Sequence, residues 1–201
     1  MNILSALFIS FCALFIALDA IGLLPKFSIF IKEMPPKEIR KKLISSVYMA
    51  LAIVIGLLIV CKIITWMMGI STADFQIGAG IVLFIMSVYY LLNFDVKKEF
   101  NLQATNVLPL AVPIIIGTNV IVMVLVLMSS YGLIITSFSF AANMFLVYII
   151  FRNSDKLQSV LGENGIAFLS KTVSILLSVF SIMLIKKGLI ALLIEIWANN
   201  S

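Results

Sequence analysis

The sequence of 201 residues contains no histidine and only two cysteines. Without histidine, the chain cannot form a Ser–His or Cys–His nucleophile pair or an HExxH zinc site. Cys12 and Cys61 both lie within apolar runs, far from any CxxC arrangement, so they support neither a redox relay nor a metal site. A glycine-rich phosphate-binding loop is also absent from the sequence. The sequence therefore predicts that the protein is not an enzyme and uses no cofactor or metal.

Charged side chains are scarce, at 11% of the residues, whereas a soluble domain has about 25%. Hydrophobic residues make up 63% of the chain, and the mean hydropathy is +1.21. The longest polar interval spans only about 20 residues, which leaves no room for a soluble module. We therefore expect one integral membrane domain over residues 1–201, surrounded by the lipid bilayer.

Apolar runs long enough for one crossing, about 20 residues each, occur six times. The sequence thus predicts an all-α, polytopic membrane protein with six transmembrane helices. The predicted spans are roughly 3–31, 43–67, 74–93, 105–128, 131–151 and 168–190.

The connections between these spans alternate in charge. Residues 32–42, 94–104 and 152–171 carry lysine or arginine, whereas the two connections between them carry neither. The positive-inside rule therefore predicts that these three loops are cytoplasmic and that both termini lie outside. The net charge of +5 is read as this topology signal, and no nucleic-acid partner is expected. Lys186 and Lys187 near the end of the last span are expected to extend to the outer interface.

Two of the apolar runs contain residues that do not suit a lipid-facing helix. Asp19, Gly22 and Pro25 interrupt the first run, which as one straight helix would measure about 44 Å against about 30 Å of hydrocarbon. Pro113 and Gly117 interrupt the fourth run. A carboxylate is costly in hydrocarbon, and proline cannot donate to the i−4 carbonyl. The sequence therefore predicts discontinuous helices 1 and 4, whose breaks face each other and form the working site.

A shift of 95 residues brings the two halves of the chain into correspondence. Gly22 then falls on Gly117, Ala79 falls on Ser174, and spans one to three overlay spans four to six. Each half has an odd number of spans, so the halves must be inverted in the membrane. The pattern predicts a 3+3 inverted repeat, about residues 1–95 and about residues 96–201, as in many secondary transporters.

The candidate substrate-binding or coupling residues are those that carry polar groups or open the backbone at the two breaks. They are Asp19, Gly22, Pro25, Pro113, Gly117, Thr118 and Asn119. Asp19 has two compatible interpretations: it couples to a proton or cation or holds a substrate ammonium, or it caps the half-helix that follows. The alternative interpretation of the glycines and prolines is that they only kink the helices. The alternative for Thr118 and Asn119 is that they bind backbone groups freed at the break.

Other polar residues in the spans are expected to have packing roles. Asn143 in span five is predicted to join two helices by a hydrogen bond. Span six carries a stripe of serines at positions 170, 174, 178 and 181, for which close helix packing is the favoured interpretation and a pore lining the other.

Four motifs, in order, resemble those of the MarC/SnatA family of six-span membrane proteins. Residues 18–27 (LDAIGLLPKF) resemble the family's DPxGNxPxF, and residues 75–84 (FQIGAGIVLF) its FRIAGGILLF. Residues 109–113 (PLAVP) with Gly117 resemble PLAxPLLAGP, and residues 161–165 (LGENG) with Lys171 resemble LGxxG followed by arginine. The sequence departs from these motifs at Ala20, Leu23 and Thr118, where the family has proline, asparagine and proline, and at Ala79 and Ser174, where glycines are usual.

The resemblance implies an inner-membrane protein with inverted repeats that transports small neutral amino acids such as glycine and alanine, in some members together with protons. Its partners would be a small-molecule substrate, a coupling proton or cation and the bilayer. Two alternatives remain open. One is a channel or passive pore for small molecules, suggested by the serine stripe and the glycine-rich third span. The other is a non-transporting structural or regulatory membrane protein, suggested by the departures within the motifs.

Overall fold

The computed structural model describes residues 2–31, 34–93 and 116–199, and these residues form seven helices and no strand. The helices are α1 (Ile3–Leu18), α2 (Leu24–Ile31), α3 (Pro36–Met68), α4 (Thr72–Asn93), α5 (Thr118–Tyr131), α6 (Leu133–Arg152) and α7 (Ser154–Asn199). The predicted all-α class is confirmed.

Four of the described helices, α3, α4, α6 and α7, are long and apolar enough to cross a membrane. Large apolar side chains on their outer faces are exposed, as expected for surfaces that contact lipid. Helices α1 and α5 have 16 and 14 residues, so they reach only about 24 and 21 Å. They are the described parts of the two runs in which breaks were predicted. The count of six crossings and the inverted repeat stay predictions.

Two of the predicted loops are largely helical, which corrects the sequence-based boundaries. Helix α3 begins at Pro36, within the predicted loop 32–42, and α7 begins at Ser154, within the predicted loop 152–171. Helix α7 is interrupted only at Gly162, where φ is 63° and ψ is 174°. Hydropathy locates the membrane boundary, but lysine, arginine and glutamate are good helix formers, so the helices continue beyond it. The third predicted loop, 94–104, lies outside the described residues.

The boundary between predicted spans four and five also moves. Tyr131 is the last residue of α5, and Gly132 separates α5 from α6 with a φ of 84°. The predicted span 131–151 is therefore observed as Leu133–Arg152. Glycine occupies this left-handed position because a Cβ would be strained there.

Helices α4 and α7 form the most extensive helix pair in the described part of the chain. A Cβ built on Gly80 would lie 2.9 Å from the Ser181 carbonyl oxygen, and one built on Gly188 would lie 2.8 Å from the Ala73 carbonyl oxygen. The two helices therefore run antiparallel with their backbones in contact. Small residues recur every seven positions at this interface: Ala73, Gly80 and Ser87 on α4, and Ser174, Ser181 and Gly188 on α7. Close packing is thus confirmed as the setting of Ser174 and Ser181.

Helix α5 lies at the centre of the bundle, where it packs against α1, α3, α4 and α6. Six of its residues, from Val120 to Met128, are buried. Helix α1 is joined to α6 by two polar contacts: the Asn143 amide donates to the Phe11 carbonyl oxygen at 3.1 Å, and the Ser139 hydroxyl donates to the Leu7 carbonyl oxygen at 3.4 Å. The predicted role of Asn143 as an interhelical contact is confirmed.

Candidate functional site

The break in the first apolar run is present where the sequence predicted it. Helix α1 ends at Leu18, residues 19–23 form a turn, and α2 begins at Leu24. Asp19 adopts a left-handed conformation with φ 39° and ψ 52°, and it is the only non-glycine residue with positive φ in the described part of the chain. Aspartate tolerates this conformation better than most residues because its short polar side chain can hydrogen-bond locally. The last carbonyls of α1 are therefore released from the helical pattern at this level.

The Asp19 carboxylate folds back over the turn. Its Oδ1 accepts a hydrogen bond from the Gly22 backbone N–H at 3.1 Å, and the Asp19 carbonyl oxygen accepts one from the Leu23 N–H at 3.2 Å. Asp19 thus caps the turn itself, whereas its predicted capping of the half-helix that follows, α2, which begins two residues after Gly22, stays a prediction.

Gly22 is buried, and its missing side chain leaves room for two polar groups. A Cβ at this position would lie 2.5 Å from the Ser170 Oγ on α7 and 2.8 Å from the Asp19 Cγ, and closer still to the Asp19 Oδ2. Only glycine fits here without a shift of one of these groups. The Asp19 carboxylate and the Ser170 hydroxyl therefore flank the same point of the turn.

The Ser170 hydroxyl is one of the few buried side-chain groups without a hydrogen-bond partner in the described part of the chain. The residue is only 1% exposed. Its neighbour Ser174 is different, because the Ser174 hydroxyl donates to the Ser170 carbonyl oxygen at 3.0 Å. A buried hydroxyl without a partner costs about 1–3 kcal/mol, so Ser170 marks a place where a further polar group would be stabilised.

Helix α2 follows the turn and contacts both α6 and α7. Pro25 occupies the first turn of α2, where its missing N–H costs no hydrogen bond, and it is buried. Gln158 on α7 donates to the Leu24 carbonyl oxygen at 2.9 Å and also to the Ser28 hydroxyl. The Phe27 ring stacks on the Phe151 ring of α6, with 4.4 Å between centroids.

The second predicted break is only partly within the described residues. Gly117 precedes α5 in an extended conformation, φ −73° and ψ 166°, and α5 has no side-chain cap at this end. The predicted site residue Thr118 is the exposed first residue of α5. Asn119 is half-buried, and its Oδ1 is buried without a hydrogen-bond partner among the described residues. A Cβ on Gly117 would meet no described atom within 4 Å, so none of the described residues requires glycine at this position, in contrast to Gly22. Pro113 lies outside the described residues.

The end of α1 and the start of α5 lie at the same end of the bundle. The start of α1, from Ile3 to Ile9, shares a cavity with the end of α5, from Val126 to Tyr131, so these two helices run antiparallel. Because α1 and α5 have nearly the same length, the end of α1 at Asp19 and the start of α5 at Gly117 lie at a similar depth. Tyr90 near the end of α4 is also close enough to Asp19 for an electrostatic interaction between the two side chains.

This arrangement presents groups of opposite polarity. The carboxyl end of α1 and the Asp19 carboxylate are electronegative, whereas the amino end of α5 offers backbone N–H groups that no side chain caps. Ser170 was missed as a site residue because it belongs to a stripe of similar serines, and only the tertiary contact with Gly22 distinguishes it. Gln158 was missed because its segment was predicted to be a loop.

Comparisons with known proteins agree with the motifs. The sequence profile described as "MarC family integral membrane protein" matches residues 4–193. A UPF0056 membrane protein of Archaeoglobus fulgidus is 29% identical over 200 residues, covering 92% of this chain and 93% of the relative. A UPF0056 membrane protein of Buchnera aphidicola is 27% identical over 194 residues, covering 90% and 89%. One from Aquifex aeolicus is 26% identical over 194 residues, covering 90% of both chains.

No solved structure matches the chain. The profile match extends over nearly the whole length and includes the turn after α1, the glycines of α4 and the start of α5. The chain belongs to the MarC family of integral membrane proteins.

Proposed function

We propose that the protein is a secondary transporter of small neutral amino acids such as glycine and alanine, coupled to a proton or another cation, with its site between the two helix breaks. It resides in the inner (plasma) membrane, with both termini outside. The segments 32–42, 94–104 and 152–171 face the cytoplasm, as their lysines and arginines predict. A six-span inverted repeat supplies the two breaks.

The observation that carries this proposal is that two polar groups lie beside Gly22, just after the end of α1. They are the Asp19 carboxylate and the buried Ser170 hydroxyl, which has no hydrogen-bond partner among the described residues. Intramembrane acids are rare and usually face a cavity or a pathway. A buried hydroxyl beside such an acid adds a hydrogen-bonding group that the fold itself does not use.

The polarity of the breaks suits an amino acid zwitterion. The carboxyl end of α1 with Asp19 is complementary to an ammonium group, and the uncapped amino end of α5 is complementary to a carboxylate. The Asn119 Oδ1, buried without a partner, adds a hydrogen-bond acceptor at this second end. A neutral amino acid carries both an ammonium group and a carboxylate, so it is complementary to both helix ends. A small side chain suits the site because the turn at Gly22 packs closely against α7.

Counterflow in proteoliposomes tests the proposal. Vesicles loaded with unlabelled glycine or alanine should accumulate the labelled amino acid transiently when they contain the purified protein. Absence of counterflow across a panel of neutral amino acids would contradict the substrate class. Unitary conductance in planar bilayers would instead favour the channel alternative, although the serines at 174 and 181 and Gly80, which suggested a pore, lie in the α4–α7 contact.

The Asp19→Asn variant tests the coupling role, because asparagine suits the left-handed conformation and can still accept the Gly22 N–H. We expect concentrative uptake to be lost while exchange is partly retained. Unchanged concentrative uptake would restrict Asp19 to its capping role.

Ser170→Ala should weaken apparent substrate or ion affinity by about 2–12-fold, the range expected for one hydrogen bond. Ser174→Ala is the matched control, since the Ser174 hydroxyl is already satisfied by its own helix. Equal effects of the two variants would assign Ser170 to packing.

A further inference from the structure

A cavity lies at the end of the bundle opposite the end of α1 and the start of α5. Its volume is about 470 Å³, and it is bounded by the start of α1, the start of α4, the end of α5, the start of α6 and the middle of α7. On the predicted topology this is the outer end. Binding cavities for small molecules usually measure about 300–1,000 Å³, so the size suits a ligand larger than glycine.

Most of the wall is apolar, but five polar side chains line the same cavity. They are Thr72 and Gln76 of α4, Ser130 and Tyr131 of α5, and Lys187 of α7. Two contacts fix this polar edge: the Gln76 amide donates to the Ser130 hydroxyl at 3.2 Å, and the Thr72 hydroxyl donates to the Ser129 carbonyl oxygen at 3.4 Å. The ends of α4 and α5 are thus joined at the mouth of the cavity.

Among the described residues that line the cavity, Lys187 is the one with a charged side chain. Asp74, the acid nearest in sequence to the cavity residues of α4, is engaged by the backbone N–H and the hydroxyl of Ser71 in the cap of that helix. A wall with one cation, several hydroxyl groups and no acid is complementary to an anion. The apolar remainder of the wall requires that this anion carry an apolar body.

We propose that this cavity is a binding site for a small organic carboxylate with an apolar body, whose carboxylate is held by Lys187. The site is separate from the one proposed at the helix breaks, and its occupancy requires no transport activity.

Equilibrium binding to the purified protein in a neutral detergent tests this inference, with L-leucine as the probe. L-Leucinamide, which has the same body but no carboxylate, and glycine, which has no apolar body, are the matched ligands. We expect the binding that is lost in Lys187→Gln to be measurably tighter for leucine than for either of the other two. Leucinamide binding that is equally tight and equally dependent on Lys187 would overturn the role of the carboxylate, and glycine binding of that kind would overturn the role of the apolar wall. Glycine binding that is unchanged in Lys187→Gln belongs to the site at the helix breaks.

The variant pair Lys187→Gln and Lys186→Gln locates the site. Both residues are exposed neighbours on α7, but only Lys187 lines the cavity. We expect Lys187→Gln to lower leucine affinity by about tenfold or more, the effect of losing a charge-assisted hydrogen bond, and Lys186→Gln to leave it unchanged. Equal effects of the two variants would overturn the proposal. It would also be overturned if phosphatidylglycerol, and not leucine, occupied the cavity.

Leucine binding should persist in Asp19→Asn, because Asp19 lies at the other end of the bundle. Loss of binding in that variant would mean that leucine binds at the helix breaks and not in this cavity. A failure of the Lys187 prediction therefore leaves the proposed transport site standing, and a failure of counterflow leaves this cavity site standing.

Discussion

Replacing Gly22 by alanine should destabilise the protein through a defined steric conflict. The new methyl group would lie 2.5 Å from the Ser170 Oγ and 2.8 Å from the Asp19 Cγ, well inside normal contact. Both conflicts must be relieved: the Ser170 hydroxyl must rotate or α7 must move away, and the Asp19 carboxylate must rotate and give up its hydrogen bond to the Gly22 N–H. Overpacking of this kind costs about 1–3 kcal/mol.

A thiol-reactive fluorophore provides the assay, because Cys12 and Cys61 are free, partly buried thiols that become reactive on unfolding. For a chain of this length, about 1 kcal/mol changes the melting temperature by about 2–4 °C, so Gly22→Ala should lower it by about 2–12 °C. Gly56→Ala on α3 is the control, since a Cβ there would meet no described atom within 4 Å. Gly56→Ala should leave the melting temperature unchanged or raise it slightly, because alanine has a higher helix propensity than glycine.

Adding Ser170→Ala to Gly22→Ala tests the cause. Removing the Ser170 Oγ deletes one of the atoms in conflict, so the double variant should recover part of the lost melting temperature, with a coupling of about 0.5 kcal/mol or more. Strictly additive effects would refute the contact between the turn and α7. Wild-type stability of Gly22→Ala would refute the geometry of the turn itself.

Two further predictions concern the packing around the site. Gly80→Ala should destabilise the protein by about 1–3 kcal/mol, because its Cβ would lie 2.9 Å from the Ser181 carbonyl oxygen. The control Gly78→Ala should not destabilise it, since a Cβ there has no described neighbour within 4 Å, and equal melting temperatures of the two variants would contradict the close α4–α7 contact. Gln158→Ala should release α2, because it removes the hydrogen bonds from Gln158 to Leu24 and Ser28. In a protein without its native thiols, the Ser28→Cys thiol should then react faster with a maleimide when Gln158→Ala is also present than when Gln158 is kept, and unchanged reactivity would show that α2 is held by other contacts.

The break after α1 was predictable from the sequence because its causes are local. An acid, a glycine and a proline within seven residues exclude a continuous apolar helix, and the structure places the turn at those residues. The role of Asn143 was predictable for a similar reason, since a lone amide in an apolar helix needs a partner on a neighbouring helix. The helix limits at Pro36 and Ser154 were not predictable from hydropathy, which reports the membrane boundary and not the end of hydrogen bonding.

Ser170 shows what the sequence could not provide. Four serines recur on one face of α7, and no local feature separates position 170 from 174. The difference arises because Ser170 faces the turn at Gly22, while Ser174 bonds to its own helix. Which serine is left without a partner therefore depends on the register between α7 and a turn about 150 residues earlier, a tertiary property that a single sequence does not encode locally.

The described contacts around the site show what a displacement of each helix would break. Helices α4 and α7 are in backbone contact at Gly80 and Gly188, and any shift between them would break contacts along several turns. Helix α1 is fixed to α6 by Asn143. Helix α2 has eight residues and follows a turn, and its described contacts are the Gln158 hydrogen bonds, one ring stack and the burial of Leu24 and Phe27 in the apolar core. Displacing α2 would break these hydrogen bonds and expose both side chains, and since burial of such a side chain stabilises by about 1.5–3 kcal/mol, the docked position of α2 is the stable one.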